Sequence, residues 1–243
     1  MGKDYPDWGG YVSQQATYPL KDLAEAVVRL GSPVIMDRRG AVAFIEDFEH
    51  GLGRVLAFDE AAAGGALIQS GTFFSKGFAL QAGVAGVAGN RAGAYVKMGH
   101  LPLSQWGMAC VVGGAISAYR VGMRLYIYED GRIYEFDASF RISQLKAYYL
   151  NAAGGYTDLG AIPPLLPEKN CYNHFKMVID PTTKKYLRVM INDTEFTDID
   201  ALCYDAGATV YRNIQMEWYV QQIAGPTGTV GYFDNLILTY AEP

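Results

Sequence analysis

The stretch RLYIYEDGRIYEF, residues 124–136, constrains the fold more than any other part of the sequence. Apolar and polar side chains alternate on both sides of Asp130-Gly131, and this dipeptide supplies the positive φ angles that a two-residue primed turn requires. The turn fixes the pairing of the two strands. It predicts Leu125 opposite Phe136 on a core face, and Arg124 opposite Asp137 on the other face.

Two further stretches alternate in the same way. In residues 174–193, HFKMVIDPTTKKYLRVMIND, turn chemistry at 180–183 separates two predicted strands, and in residues 211–222, YRNIQMEWYVQQ, apolar residues occupy the even positions. With 28 glycines and turns at short intervals, the chain is predicted to be all-β, an antiparallel two-sheet sandwich. The predicted core positions of these strands are Phe175, Met177, Ile179, Leu187, Val189, Ile191, Ile214, Met216, Trp218 and Val220.

The N-terminal segment differs from the rest of the sequence. Residues 19–33, PLKDLAEAVVRLGSP, have apolar residues at helical spacing, so one short helix is expected at about 19–30, followed by a hairpin through 37–40. We therefore divide the chain into an arm, 1–43, and a sandwich domain, 44–243. The arm carries aromatic residues, and we expect self-association through it. The first ten residues lack the layout of a secretory signal, so either the protein stays inside the cell or its signal is not part of this sequence. On the first alternative the protein is made in the cytoplasm and assembled into a particle or surface structure.

Composition excludes several classes of function. The net charge is -5 and no cluster of Lys and Arg runs along the chain, so nucleic acid is not an expected partner. The most apolar window, residues 108–119, is too short to span a membrane. Neither the three cysteines nor the three histidines have the spacing of a metal site or a catalytic motif.

A binding surface is predicted if the face that carries Glu135 and the odd-numbered face of residues 211–221 belong to the same concave sheet. These faces would then combine tyrosine rings with planar polar groups, which suits stacking on sugars and hydrogen bonding to them. A protein interface would use the same residue types. The candidate glycan-binding residues are Tyr126, Tyr128, Glu135, Asp137, Tyr211, Asn213, Gln215, Glu217 and Tyr219.

Three stretches resemble a known superfamily in their order and spacing. They are FIEDFEHG at 44–51, NHFKMVIDPTTKKYLRVMIND at 173–193 and GYFDNLILTY at 231–240. Together they are similar to the concanavalin A-like jelly rolls, which include laminarinase-type glycosidases, legume-type lectins and related binding modules. The resemblance implies a jelly-roll sandwich in which the first and last strands lie side by side.

The same resemblance implies a structural calcium ion bound by Glu49 and Asp234, although no cofactor is required for the expected function. By strand alternation, Asp234 shares a core-side face with Tyr232, Leu236, Leu238 and Tyr240. A carboxylate there needs a partner. The alternative to calcium is that Asp234 accepts hydrogen bonds from backbone amides or from a tyrosine at the sheet edge.

The stretch YEFDASF, residues 134–140, resembles the Glu-x-Asp-x-x-Glu signature of laminarinase-type glycosidases, but Phe140 occupies the position of the second glutamate. Without that acid the retaining mechanism lacks its proton donor. The sequence therefore predicts a non-enzymatic protein, a structural or adhesive component of a virion, tail or cell-surface assembly with a glycan-binding face. A stand-alone lectin-like module and a degenerate glycosidase are the alternatives.

Overall fold

The computed structural model describes residues 40–48, 52–60, 65–70, 78–84, 88–101, 104–113, 119–165, 172–222 and 229–242. These residues form two antiparallel sheets that pack face to face, which confirms the predicted all-β sandwich. The expected helix at 19–30 and most of the expected hairpin at 37–40 lie outside the described residues. Within the described part of the chain, no helix is long and apolar enough to cross a membrane.

The first sheet has nine strands, and its main path runs β13-β12-β11-β6-β17-β4-β3, with β1 also paired to β17 and β14 to β12. Adjacent β1 and β17 confirm that the first and last strands lie side by side. The strands are β1 (Ala41–Glu46), β3 (Gly65–Ser70), β4 (Phe78–Val84), β6 (Trp106–Gly113), β11 (Tyr172–Asp180), β12 (Lys185–Ile191), β13 (Thr194–Phe196), β14 (Ala201–Leu202) and β17 (Thr229–Tyr240).

The second sheet has eight strands in the order β10-β9-β8-β7-β16-β5-β2, and β15 pairs with β8. A short 3-10 turn at Ile142–Gln144 precedes β9. The strands are β2 (Leu56–Asp59), β5 (Arg91–Met98), β7 (Tyr119–Glu129), β8 (Arg132–Arg141), β9 (Lys146–Leu150), β10 (Tyr156–Ala161), β15 (Tyr204–Ala208) and β16 (Asn213–Gln222).

The β7–β8 hairpin forms as the sequence predicts. Asp130 and Gly131 both have positive φ, 52° and 75°, as a type I′ turn requires. Leu125 pairs with Phe136 on the core face, and Arg124 pairs with Asp137 on the opposite, outer face. Every predicted pair of this hairpin is therefore confirmed.

The core lies between the two sheets, and each sheet contributes one face. Aromatic pairs join the layers: Phe136 packs against Tyr186 with ring centroids 5.2 Å apart, and Phe140 packs against Phe175 at 5.1 Å. The predicted inward positions of β16 are all buried. The period-2 pattern of that strand therefore identified its core face correctly. These β16 positions are Ile214, Met216, Trp218 and Val220.

A β-bulge turns one predicted core residue, Leu187, away from the core. The register between β11 and β12 shifts between Val178 and Ile179, which pair with Arg188 and Tyr186, so that Leu187 is the extra residue. Tyr186 is fully buried in the core, whereas Leu187 is only partly buried. The prediction that Leu187 faces the core was wrong because a bulge advances the alternation by one residue.

A second bulge moves Asp234 away from the core side. The pairing of β17 with β6 shifts between Asp234 and Ile237, and Asn235 has a φ of 49°. Asp234 lies opposite Val111 on the outer face of the first sheet, while Leu236 packs in the core. The predicted shared face for Asp234 and Leu236 was therefore wrong. Both residues are nevertheless buried.

Candidate functional site

Three neighbouring strands, β8, β7 and β16, gather the predicted binding residues on the outer face of the second sheet. Arg124 on the middle strand lies opposite Asp137 on one side and opposite Glu217 on the other. Tyr126 similarly lies between Glu135 and Gln215. The condition on which the predicted surface depended, that both strands belong to one sheet, is met.

Asp137 is the centre of this face. Its carboxylate is fully buried and pairs with Arg124, whose Nη2 lies 2.7 Å from Oδ2. Tyr219 donates a hydrogen bond to it at 2.8 Å, and Tyr156 donates one at 3.0 Å. Because every contact is made from within the protein, Asp137 positions its neighbours and does not itself face solvent.

The Tyr219 ring packs against Gly122, which has no side chain to occupy that space. A Cβ atom built on Gly122 would come within 2.2 Å of the Tyr219 ring, so the ring requires glycine there. The guanidinium carbons of Arg91 and Arg124 lie 5.5 and 5.4 Å from the ring centroid. The ring is thus held between two cations and is fully buried.

The two glutamates of the face also belong to ion pairs. Glu135 Oε1 lies 2.9 Å from Arg124 Nε, and Glu217 Oε2 lies 3.6 Å from Arg91 Nη1. Gln215 donates a hydrogen bond of 2.6 Å to the other oxygen of Glu217. Both glutamates are more than nine-tenths buried, so the centre of the face holds two guanidinium groups and three carboxylates, with Asp137 as the third.

Burial dominates the protonation equilibria of this face. It raises the pKa of Glu135 and of Glu217 above the ordinary glutamate value, against the opposing effect of Arg124. It also raises the pKa of Tyr126 to about 12. For Arg124 burial acts to lower the pKa, but Asp137, Tyr219, Tyr126 and Glu135 together outweigh burial and the pKa is raised. Arg124 therefore stays cationic.

The exposed part of the face is at its tyrosine end. The rings of Tyr126 and Tyr128 lie 6.0 Å apart, and Tyr128 meets Tyr211 edge to face at 6.5 Å. Tyr211 exposes 66% of its surface. A cavity of about 230 Å³ is lined by Tyr128, Tyr211, Asn213 and Lys97, and a second of about 410 Å³ lies on the other side of the same two tyrosines.

The nine predicted residues thus separate into two groups. One group forms the buried network and reaches solvent little or not at all: Glu135, Asp137, Glu217 and Tyr219. The other group is half-buried or exposed and is available to a ligand: Tyr126, Tyr128, Tyr211, Asn213 and Gln215.

The glycosidase signature is incomplete in space as well as in sequence. Glu135 and Asp137 lie on the outer face, whereas Phe140 is buried in the core against Phe175. The position that holds the second glutamate of the signature therefore points to the opposite side of the sheet. Asp137 forms the predicted ion pair with Arg124, which accounts for this carboxylate of the signature without a catalytic role.

The calcium candidates are only partly described. Asp234 is buried, accepts a hydrogen bond of 2.7 Å from the Asn235 amide, and raises the pKa of Tyr172 further than burial alone does. Glu49 lies outside the described residues. Among the residues that the structure describes, no three His, Cys, Asp or Glu side chains are grouped as metal ligands. The calcium ion stays a prediction.

Sequence reasoning missed several residues of this face. Arg120 shares the period-2 pattern of β7 with the predicted Tyr126 and Tyr128, and that pattern was the available signal, whereas Arg91 lies on β5, which carries no predicted site residue. Tyr156 gave none, because its approach to Asp137 depends on how β9 and β10 fold back beside β8.

Comparison with solved structures gives likenesses of fold. An endo-beta-1,4-glucuronan lyase from the fungus Trichoderma reesei superposes with a TM-score of 0.55 and 9% identity, covering 82% of this chain and 96% of that chain. The carbohydrate esterase vb_24B_21 from the Shiga toxin-encoding bacteriophage phi24B gives 0.54 and 14% identity, covering 83% and 99%. Neither a protein-family model nor a curated protein matches the sequence. At these identities the likenesses support the sandwich that the resemblance implied, and only that.

Proposed function

We propose that this protein binds carbohydrate on the outer face of its second sheet. The proposal depends on the exposed cluster of Tyr126, Tyr128 and Tyr211, which we call the tyrosine corner. Within it, Tyr128 and Tyr211 meet edge to face between two cavities. Exposed aromatic rings beside a cavity stack on the apolar faces of sugar rings.

Polar groups at the same corner suit sugar hydroxyl groups. Asn213 lines the smaller cavity, and its side-chain oxygen is buried without a hydrogen-bond partner among the residues that the structure describes. An unpaired buried acceptor costs free energy, which a sugar hydroxyl would recover by donating to it. Lys97 and Gln215 lie opposite each other on neighbouring strands beside this cavity and add donors.

The similar folds agree with this assignment, since the glucuronan lyase and the phage esterase are both named for action on carbohydrate. The buried network supplies the rigidity that such a surface needs. Arg124 donates a hydrogen bond of 2.9 Å to the Tyr126 hydroxyl, so one edge of the tyrosine corner is fixed by the central ion pairs.

Binding to a panel of polysaccharides tests the proposal. Tyr211→Ala removes an exposed ring and should weaken binding about tenfold while leaving the fold unchanged. The matched control is Leu67→Ala, which removes a half-exposed apolar side chain from the first sheet and should leave binding intact. The absence of binding to every polysaccharide, or equal binding by the Tyr211 variant, would overturn the proposal.

We also propose that the protein acts as a non-enzymatic structural or adhesive component of a larger assembly, with contacts made by its N-terminal arm. The support for this role is the sequence of residues 1–43. Light scattering of the full chain should show a discrete oligomer that deletion of residues 1–40 abolishes without unfolding the sandwich. Repeating the measurement with a chelator tests the proposed calcium ion at Glu49 and Asp234, and a monomer in all conditions would favour a stand-alone binding module.

Catalysis on carbohydrate is the second candidate, and one observation favours it. Glu135 and Glu217 lie on the two strands that flank β7 and its Arg124, and burial raises the pKa of both above the ordinary glutamate value, which is the direction that a general acid needs. Turnover of a polysaccharide that is lost in both Glu135→Gln and Glu217→Gln, with binding retained, would establish an enzyme.

A further inference from the structure

A row of basic residues crosses the second sheet at the end opposite the tyrosine corner. Arg120 on β7 lies opposite Arg141 on β8 and opposite Gln221 on β16. Lys146 on β9 and Arg91 on β5 extend this row to either side. Five adjacent strands thus each place one of these side chains on the same face. At the usual spacing between strands the row is about 19 Å long.

The two ends of the row are neutralised by carboxylates. Lys146 forms an ion pair with Asp158, and Arg91 forms one with Glu60. Such pairs near the surface contribute little to stability but do cancel the local charge. The middle of the row is therefore the part that retains positive charge.

Arg120 and Arg141 have no carboxylate partner among the described residues. Arg120 is stacked on Tyr156, with its guanidinium carbon 3.7 Å from the ring centroid, and its Nη1 donates to Gln221. Arg141 lies over Tyr148 and donates to Gln144. Stacking orients a guanidinium group without neutralising it.

Each of these two arginines also has an unused donor. The Nε atoms of Arg120 and Arg141 are buried and have no hydrogen-bond partner in the part of the chain that the structure describes, and only 5% of the surface of Arg120 is exposed. A buried cationic donor without an acceptor is unfavourable. A carboxylate or sulfate group bound between the two guanidinium groups would supply the missing acceptors in the geometry that arginine prefers.

From this row we infer that the carbohydrate bound by the protein is an anionic polysaccharide, whose carboxylate or sulfate group binds between Arg120 and Arg141. The inference rests on the proposed function and specifies its ligand class. A polymer lying along β16 from Asn213 to Gln221 would contact both the tyrosine corner and the basic row, which are about 27 Å apart along the strand.

A nucleic acid is a weaker candidate for the same row. The tyrosine corner and the basic row are separated by the carboxylates of Asp137, Glu135 and Glu217, and the chain carries a net charge of -5. A strand with a phosphate on every unit would be repelled by this middle section, whereas a polysaccharide can carry its charge on only some of its units.

Pairs of polymers that share a backbone test the inference. Polygalacturonate is compared with its methyl ester, and dextran sulfate with dextran, so that the members of each pair share a backbone and differ in whether it carries charged groups. We expect the protein to bind at least one charged member about tenfold more tightly than its neutral partner, with a preference that falls at high salt. The first pair tests a carboxylate ligand and the second a sulfate ligand.

Variants then assign the preference to the row. Arg141→Gln and Arg120→Gln should each reduce binding of the charged polymer about tenfold and leave binding of the neutral polymer unchanged. Lys185→Gln removes the same charge from the first sheet and is the control. Because Arg120 is buried, circular dichroism must show a native fold, and the half-buried Arg141 keeps the test decisive if Arg120→Gln does not fold.

The outcomes separate the two claims. Equal binding of charged and neutral polymers, with loss only in Tyr211→Ala, would overturn the inference and keep carbohydrate binding. Failure to bind any polysaccharide would overturn both. Tighter binding to a single-stranded oligonucleotide than to either charged polymer would also overturn the inference.

Discussion

Arg124 and Asp137 face each other across β7 and β8 and form a buried ion pair on the outer face of the second sheet. Two tyrosine hydroxyl groups complete the hydrogen bonds of the carboxylate, and the guanidinium group extends to Glu135 and to Tyr126. These contacts continue from the fully buried Asp137 through Arg124 to the half-buried Tyr126. The ion pair that stabilises the sheet therefore also positions the tyrosine corner.

Asp137→Asn should destabilise the protein by about 3 kcal/mol. The substitution keeps the shape of the side chain but removes the fully buried counter-charge of Arg124, which then keeps only its ion pair with Glu135, and breaking a buried pair in this way is costly. Urea unfolding followed by tryptophan fluorescence measures the loss. Asp158→Asn removes an exposed partner of Lys146 and should have little effect; equal losses in the two variants would contradict the central role of Asp137.

Tyr186→Phe should also destabilise the fold, although it removes only one oxygen atom. Strand β8 pairs with β15 up to Glu135 and with β9 from Ala138, so the Asp137 amide falls in the gap between them and donates instead to the Tyr186 hydroxyl at 2.7 Å. Loss of that acceptor leaves a buried N–H unsatisfied, which costs about 1–3 kcal/mol.

Tyr149→Phe is the matched control for this variant, because the Tyr149 ring packs on Tyr186 with centroids 5.2 Å apart. Its hydroxyl makes no hydrogen bond among the described residues. Chemical denaturation of both variants should show a loss for Tyr186→Phe alone, and a comparable loss in Tyr149→Phe would indicate that the ring packing, not the bond to Asp137, was disturbed.

The parts of the fold that the sequence predicts are those set by local chemistry. The Asp130-Gly131 turn determines a register, and period-2 alternation then identifies the buried face of β16. Leu187 and Asp234 were misplaced because a single extra residue in a strand reverses its facing without altering the composition around it. The basic row through Arg120 cannot be recognised from the sequence, since it depends on the order of five strands in the sheet.

Gly131→Ala should destabilise the protein by about 1 kcal/mol or somewhat more through its backbone alone. Gly131 has a φ of 75°, and a Cβ atom there would meet nothing within 4 Å, so the cost is that of holding alanine in a left-handed conformation. Gly99→Ala is the control, because its surroundings are equally open and its φ is not positive. Thermal unfolding of both variants checks this, and a similar fall in Tm for Gly99→Ala would contradict the turn argument.

Glu217→Gln should become more stable relative to the native protein as pH rises through the interval between the ordinary glutamate pKa of 4.5 and the raised pKa of Glu217. Burial raises the pKa of Glu217 in the folded protein above the ordinary value of 4.5, so the folded state holds this proton more tightly than the unfolded chain does. The native protein therefore loses stability as pH rises through that interval, whereas glutamine does not titrate. Urea unfolding at a series of pH values gives the difference between the two proteins.

Asp205→Asn provides a control of opposite sign. The hydrogen bond from Arg132 lowers the pKa of Asp205, so its contribution is present above the ordinary aspartate pKa and is lost as pH falls through the lowered value. The stability of this variant relative to the native protein should fall, not rise, with increasing pH. If Glu217→Gln followed the same direction as Asp205→Asn, the ion pair with Arg91 and the hydrogen bond from Gln215 would outweigh burial, and Glu217 would be unsuited to act as a proton donor near neutral pH.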